Sequence, residues 1–136
     1  EIMLSMGLEE GAAQTLIEAA KLDPDQPVVW AELGFTQRFA GENEKAIESF
    51  ERAAQHAMPA PYGVRVYYHL ANAYQAAGET RKAVRATAKM MSARDGLSTW
   101  KSGLKPLEGT AYGQELRDEI AMIEHALADA DAGNLG

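Results

Sequence analysis

The strongest constraint on this 136-residue chain is that it contains one unit twice. Residues 29–57, VWAELGFTQRFAGENEKAIESFERAAQHA, overlay residues 66–93, VYYHLANAYQAAGETRKAVRATAKMMSA, at an offset of 37. Trp30 meets Tyr67, Leu33 meets Leu70 and Gly34 meets Ala71; Ala40-Gly41-Glu42 meets Ala77-Gly78-Glu79, and Lys45-Ala46-Ile47 meets Lys82-Ala83-Val84. A partial copy lies 34 residues upstream of the first, with Gly7, Ala12, Leu16 and Ala19 in the places of Gly41, Ala46, Phe50 and Ala53. It closes on Leu22-Asp23-Pro24-Asp25, a sequence that stops a helix. Self-similarity at such a period is the mark of repeat architectures, in which no unit buries its own apolar face alone.

Within each unit the pattern is helical. The chain has 25 alanines against 16 Val, Ile and Thr together, a balance that favours helix over strand. Gly34 and Ala71 are small where two helices must cross closely, with Ala46 and Ala83 as the small partners, and Trp30, Leu33, Tyr67 and Leu70 supply apolar filling. Gly41 and Gly78 end a first helix in a left-handed cap, and Glu42 to Lys45 or Glu79 to Lys82 restart the chain into a second. Helices are expected at 9–21, 27–40, 43–56, 64–77 and 80–92, with residues 1–6 as the last turns of an earlier helix. Such a truncated first hairpin would leave an apolar edge at Ile2, Met3, Leu4 and Met6 for preceding repeats, a second copy or a partner.

The unit resembles the tetratricopeptide repeat, a helix–turn–helix of 34 residues carrying W-x2-L-G-x2-Y, then Gly, Ala, an aromatic and a second Ala. The first full copy matches at Trp30, Leu33, Gly34, Gly41, Ala46, Phe50 and Ala53, but has Gln37 where the tyrosine belongs. The second has Tyr74 there, and departs instead at Thr87 and Met90. Three extra residues between the copies fall in the Pro- and Gly-punctuated stretch 56–63. The resemblance implies an all-α, right-handed α-solenoid of about two and a half hairpins over residues 1–93: a partial unit at 1–25 and full ones at 27–57 and 64–93.

After Ala93 the pattern fails. Trp100 and Leu104 are four apart rather than three, and Pro106 interrupts a first helix, so 94–110 reads as a linker with one short helical piece. Thr110 is a fitting N-cap for a last amphipathic helix over 111–132, whose apolar stripe is Tyr112, Leu116, Ile120, Ile123 and Leu127. That helix suits the end of a repeat stack, which needs a polar outer side. Residues 133–136 read as a frayed tail.

The function classes narrow by elimination. A formal charge of −7 argues against a nucleic-acid or anionic-membrane binder, and no apolar run approaches the roughly 18 residues of a membrane span. Without cysteine there are no disulfides, thiolate metal sites or Cys nucleophiles. His56, His69 and His125 are never paired at ligand spacing, and no glycine-rich phosphate loop follows a strand; no enzyme and no cofactor is expected. Glu124, His125 and Asp129 are close enough along one helix to meet a metal, but solvated acidic faces produce such triples often, and no metal site is assigned there.

A binding groove is the better candidate. In stacked hairpins the first helices line the concave side. On 27–40 the residues outside the hairpin seam include Phe35, Arg38 and Phe39, with Ala31, Phe35 and Phe39 forming an apolar ridge that either meets a partner or packs on neighbouring first helices. On 64–77 the same face offers Arg65, Tyr68, His69, Asn72 and Gln75. Aromatic rings beside donors and an arginine can anchor a peptide. The family resemblance implies a non-catalytic scaffold for a protein or peptide partner, or else the accessory region of a larger enzyme or of an envelope or secretion assembly. Some repeats of that family clamp the carboxylate of an acidic tail with Lys and Asn; Ala31 and Phe35 stand in those places here, which leaves Arg65 and Asn72 for a peptide carbonyl or carboxylate.

Charge is segregated along the chain. Residues 1–62 carry 4 basic and 11 acidic side chains, residues 63–110 carry 8 and 3, and residues 111–136 carry 1 and 6. Arg81, Arg85 and Lys89 form a stripe at i, i+4 and i+8 in the basic block. Two readings stay open: attraction to the acidic last helix through Glu115, Asp118 and Glu119, or a docking patch for an acidic partner.

Overall fold

Two glycine-capped turns organise the chain. In the computed structural model, which describes residues 2–133 (side chains from Gly11 onward, Ala12 excepted), Gly41 and Gly78 are left-handed, with φ of 83° and 77°. Each closes the preceding helix with the same two bonds. The Gly41 and Gly78 amides donate to the Arg38 and Gln75 carbonyls at 3.0 and 3.1 Å, and the Glu42 and Glu79 amides donate to the Gln37 and Tyr74 carbonyls at 2.8 and 2.9 Å. This is the Schellman arrangement, which satisfies carbonyls that a helix end otherwise leaves unpaired. Glu42 and Glu79 then pair with Lys45 and Lys82 across the first turn of the next helix.

The described residues are all-helical. The helices are α1 (Ile2–Leu22), α2 (Pro27–Phe39), α3 (Asn43–Ala53), α4 (Tyr62–Ala76), α5 (Thr80–Ser92), α6 (Gly96–Gly103) and α7 (Ala111–Asp131), with a 3-10 turn at Lys105–Leu107. The chain divides into two compact units, 1–58 and 59–136. In the first, α1 packs on α2 and α2 on α3; in the second, α4 packs on α5 and α6, and α7 on α5 and α6. No helix is long and apolar enough to cross a membrane among the described residues.

In the first unit the α2/α3 crossing is set by Gly34. A Cβ on this residue would collide with the ring of Phe50, which is 1% exposed. Leu33, Ala46 and Ala53 are buried beside them. Gln37, in the place where the repeat pattern has tyrosine, is also buried, and its side-chain carbonyl accepts a hydrogen bond from the Ser49 hydroxyl at 2.6 Å. Trp30 is only half-buried; its indole N–H donates to the Pro24 carbonyl at 2.8 Å and ties down the loop before α2.

Three sequence expectations change. Residues 2–22 form one helix, not the end of one helix followed by another, so there is no partial hairpin. A single glycine costs a helix only about 1 kcal/mol relative to alanine, whereas a break leaves several carbonyls unpaired; Gly7 lacks the restarting Glu-x-x-Lys that follows Gly41 and Gly78. The expected apolar edge at Ile2, Met3, Leu4 and Met6 lies outside the described side chains, and residues 134–136 of the tail lie outside the described residues.

Next, the short helix expected within 94–110 is α6, and it is more than part of a linker, because it contributes to the core. Leu97, Trp100 and Leu104 are buried in one cluster with Val64, Tyr68 and Met90 and with Leu116, Ile120, Ile123 and Leu127 of α7. Trp100 of α6 and Leu104 at its C-cap, four apart, turn to the same side, while Pro106 sits in the 3-10 turn, where its missing amide costs nothing. Third, Tyr112 does not belong to the buried stripe of α7: it is 55% exposed. The buried positions are Gly113, Leu116, Ile120, Ile123, Leu127 and Ala130, spaced alternately by three and four, which holds one face better than the repeated fours starting at Tyr112.

The start of α7 is fixed by Thr110. Its hydroxyl accepts from the Gly113 amide at 3.0 Å and donates to the Leu107 carbonyl at 2.6 Å. A Cβ on Gly113 would collide with that same carbonyl, so the helix begins pressed against the preceding turn.

Candidate functional site

The face of α4 chosen from sequence as a binding face is largely taken by the chain's own α7. Arg65, His69 and Tyr68 lie on it at i, i+4 and i+3. The Arg65 Nε–H donates to Glu119 Oε2 at 2.8 Å, and His69 Nε2 lies 3.3 Å from Glu119 Oε1. The Arg65 guanidinium also sits 4.3 Å from the centre of the Trp100 ring, a stacked position that favours an arginine over a lysine. Burial alone would push the Glu119 carboxyl up; the His69 ring and the Arg65 charge outweigh it and lower it from 4.5 to about 2. An ion pair this enclosed is a fastener between α4, α6 and α7, since removing either partner strands a buried charge.

The last helix is held at its exposed edges as well. Arg94 makes a two-pronged pair with Asp131, Lys101 donates to Glu124, and Arg117 reaches Glu108. The basic block does meet the acidic helix, but through Arg65, Arg94 and Lys101 and not through the stripe Arg81, Arg85 and Lys89. Among the described residues that stripe makes no ion pair.

Below the ion pair the two helices part. Tyr68 and Asn72 of α4, with Ala121, Met122, His125, Ala126 and Asp129 of α7, line an open groove of about 400 Å³. Its apolar side is the Tyr68 ring, Ala121, Ala126 and Met122, the last 54% exposed. Its polar groups are the exposed Asn72 amide, the Tyr68 hydroxyl and the His125–Asp129 pair at 3.4 Å. Tyr68 belongs to the core cluster, yet its hydroxyl has no hydrogen-bond partner among the described residues. Buried rings with a wet polar tip are common where a second molecule docks.

The remaining sequence candidates fall outside this groove. Gln75 is exposed one turn beyond Asn72. On α2, Arg38 and Phe39 are exposed, while Phe35 is half-buried with its ring 5.3 Å from that of Phe50. Phe35 therefore packs within its own hairpin. The ridge Ala31, Phe35, Phe39 runs from fully buried to 53% exposed along α2. Among the described residues no group of three or more His, Asp or Glu side chains is placed to hold a metal; Glu124 accepts from Lys101 and leaves His125 and Asp129 as a pair.

Sequence reasoning missed every α7 contribution to the groove. Met122 lies off the apolar stripe of α7, and that position was the available signal, since an apolar residue on the outer side of an amphipathic helix has nothing of its own to cover. Compared with known proteins, the chain matches no family model, and no curated protein matches it.

Proposed function

We propose that this chain is a non-catalytic interaction module of tetratricopeptide-repeat type, which holds a peptide segment of a partner protein. Support for the repeat reading comes from α2/α3 and α4/α5, which share a 37-residue register, the same Schellman bonds and buried small residues at Ala46 and Ala83. The observation that carries the binding reading is the α4/α7 groove. Tyr68 and Asn72, chosen from sequence as peptide contacts, line it beside exposed apolar Met122. An apolar peptide side chain would cover Met122, Ala126 and the Tyr68 ring, while the Asn72 amide and Tyr68 hydroxyl would pair with the peptide backbone.

The test is selection of peptides on the intact chain from a random display library, followed by NMR mapping. Shifts should centre on Asn72, Met122 and Ala126, and Met122→Asp or Asn72→Ala should weaken the selected peptides without loss of helicity. Peptides that bind both variants with unchanged affinity would refute the groove as the site.

A further inference from the structure

The outer face of α5 is built against its own interests. Its thirteen residues, TRKAVRATAKMMS, include four cations and no acidic side chain. Arg81 and Lys82 occupy the first turn, where the helix dipole disfavours positive charge. Arg81, Arg85 and Lys89 then repeat at i, i+4 and i+8, so each neighbouring pair repels. A solvated helix ordinarily relieves this with glutamates at the alternate positions. The equivalent helix of the other hairpin does so: Glu44 and Glu48 stand in α3 where Arg81 and Arg85 stand in α5, interspersed with Lys45 and Arg52.

Nor are these cations absorbed elsewhere in the fold. Of the nine Lys and Arg in residues 63–136, Arg65, Lys82, Arg94, Lys101 and Arg117 each face a carboxylate. Arg81, Arg85 and Lys89 are exposed and make no ion pair among the described residues. Beside them on the same face run Val84, one of the few large apolar side chains left 42% exposed, and Ala88, also exposed. A cationic ridge with charges about 6 Å apart and an apolar strip alongside is the complement of an amphipathic acidic helix.

We infer that the outer face of α5 docks an acidic amphipathic segment of a partner protein, with carboxylates on Arg81, Arg85 and Lys89 and an aliphatic residue on Val84. This surface is separate from the α4/α7 groove and does not depend on it. A helical partner with glutamates one turn apart matches the ridge in register. A nucleic acid would match the charge alone, and the net −7 of the chain works against it.

The experiment uses the intact chain and a fluorescein-labelled peptide of repeating Glu-Ala-Ala-Leu, read by anisotropy at low and physiological salt. Binding should weaken with salt and fall on the order of tenfold in the triple variant Arg81→Gln, Arg85→Gln, Lys89→Gln, given the modest worth of each exposed pair. Val84→Ser should cost about threefold, and Lys105→Gln, which removes an exposed cation elsewhere, should cost nothing. Arg85→Gln alone serves if the triple variant loses helicity. The inference is overturned if the peptide does not bind, if binding survives the charge variants, or if labelled oligothymidylate or phosphatidylserine vesicles bind the ridge more tightly than the peptide. Met122→Asp, which disables the groove, should leave this binding unchanged.

Discussion

The hairpins α2/α3 and α4/α5 solve the same crossing with opposite distributions of volume. The first puts no side chain on α2 at Gly34 and fills the space with Phe50; the second has a Cβ on α4 at Ala71 and a small residue at Thr87. A second pair follows the same logic: Gln37 hydrogen-bonds Ser49 in the first hairpin, and Tyr74 accompanies Ala86 in the second. In each pair the larger side chain on one helix stands in register with a smaller one on the other, so the two positions vary together and not one at a time. The pairs also explain why each copy departs from the repeat pattern at different positions.

The largest test of this exchange is Phe50→Thr, which should destabilise the first unit by about 3 to 5 kcal/mol through loss of a buried ring. Gly34→Ala, which drives a methyl into that ring, should cost about 1 to 3 kcal/mol. The double variant Gly34→Ala, Phe50→Thr recreates the Ala71/Thr87 pair, and urea unfolding should show it less damaged than the sum of the singles. Strict additivity would mean that the two positions do not share one space.

A second contrast lies in the response to acid. Glu119 sits in the second unit with its carboxyl lowered to about 2. A lowered carboxylate stabilises the fold above its unfolded value and ceases to do so as it is protonated. The stabilisation, about 3 kcal/mol from a shift of this size, is therefore complete above roughly pH 5 and lost as pH falls from about 4.5 to about 2. Hydrogen exchange followed by pH should show α4, α6 and α7 losing protection in that window ahead of α2 and α3. Glu119→Gln should remove much of this acid sensitivity and lower the stability of the second unit at pH 7 by up to about 3 kcal/mol. Equal acid responses in both variant and wild type would assign the titration to other carboxylates.

The smallest expected effect concerns the polar seam. Ser49→Ala should cost about 1 to 2 kcal/mol because it strands the buried Gln37 carbonyl. Adding Gln37→Tyr, which reproduces the Tyr74/Ala86 pair, should return part of that loss in the same unfolding experiment.

What the chain shows of itself before folding is local. The Gly41 and Gly78 caps, the Thr110 cap and the bounds of α2 to α5 follow from short-range rules, and each is present within a few residues of its expected place. Gly7 misleads because a glycine is only a permission to turn; the bonds that follow Gly41 and Gly78 are what enforce it. The burial of α6 depends on α4 and α7, and Arg65 and Glu119 stand 54 positions apart; no periodicity within a helix reports on such partners. Tyr68 and Asn72 were legible as a surface of α4, but the opposite wall of their groove is contributed by α7, and only folding supplies it.

The elbow at Thr110 places a counting rule on evolution of this chain. Between the capped amide of Gly113 and the first buried side chain beyond it, Leu116, lies less than one helical turn, with no slack because Gly113 already abuts the Leu107 carbonyl. One residue inserted there would turn everything downstream by about 100° about the helix axis. Leu116, Ile120, Ile123 and Leu127 would leave the core together, and Glu119 would leave Arg65 with them. Substitutions in this stretch are therefore absorbed far more easily than insertions or deletions, and its length is a stricter inheritance than its letters.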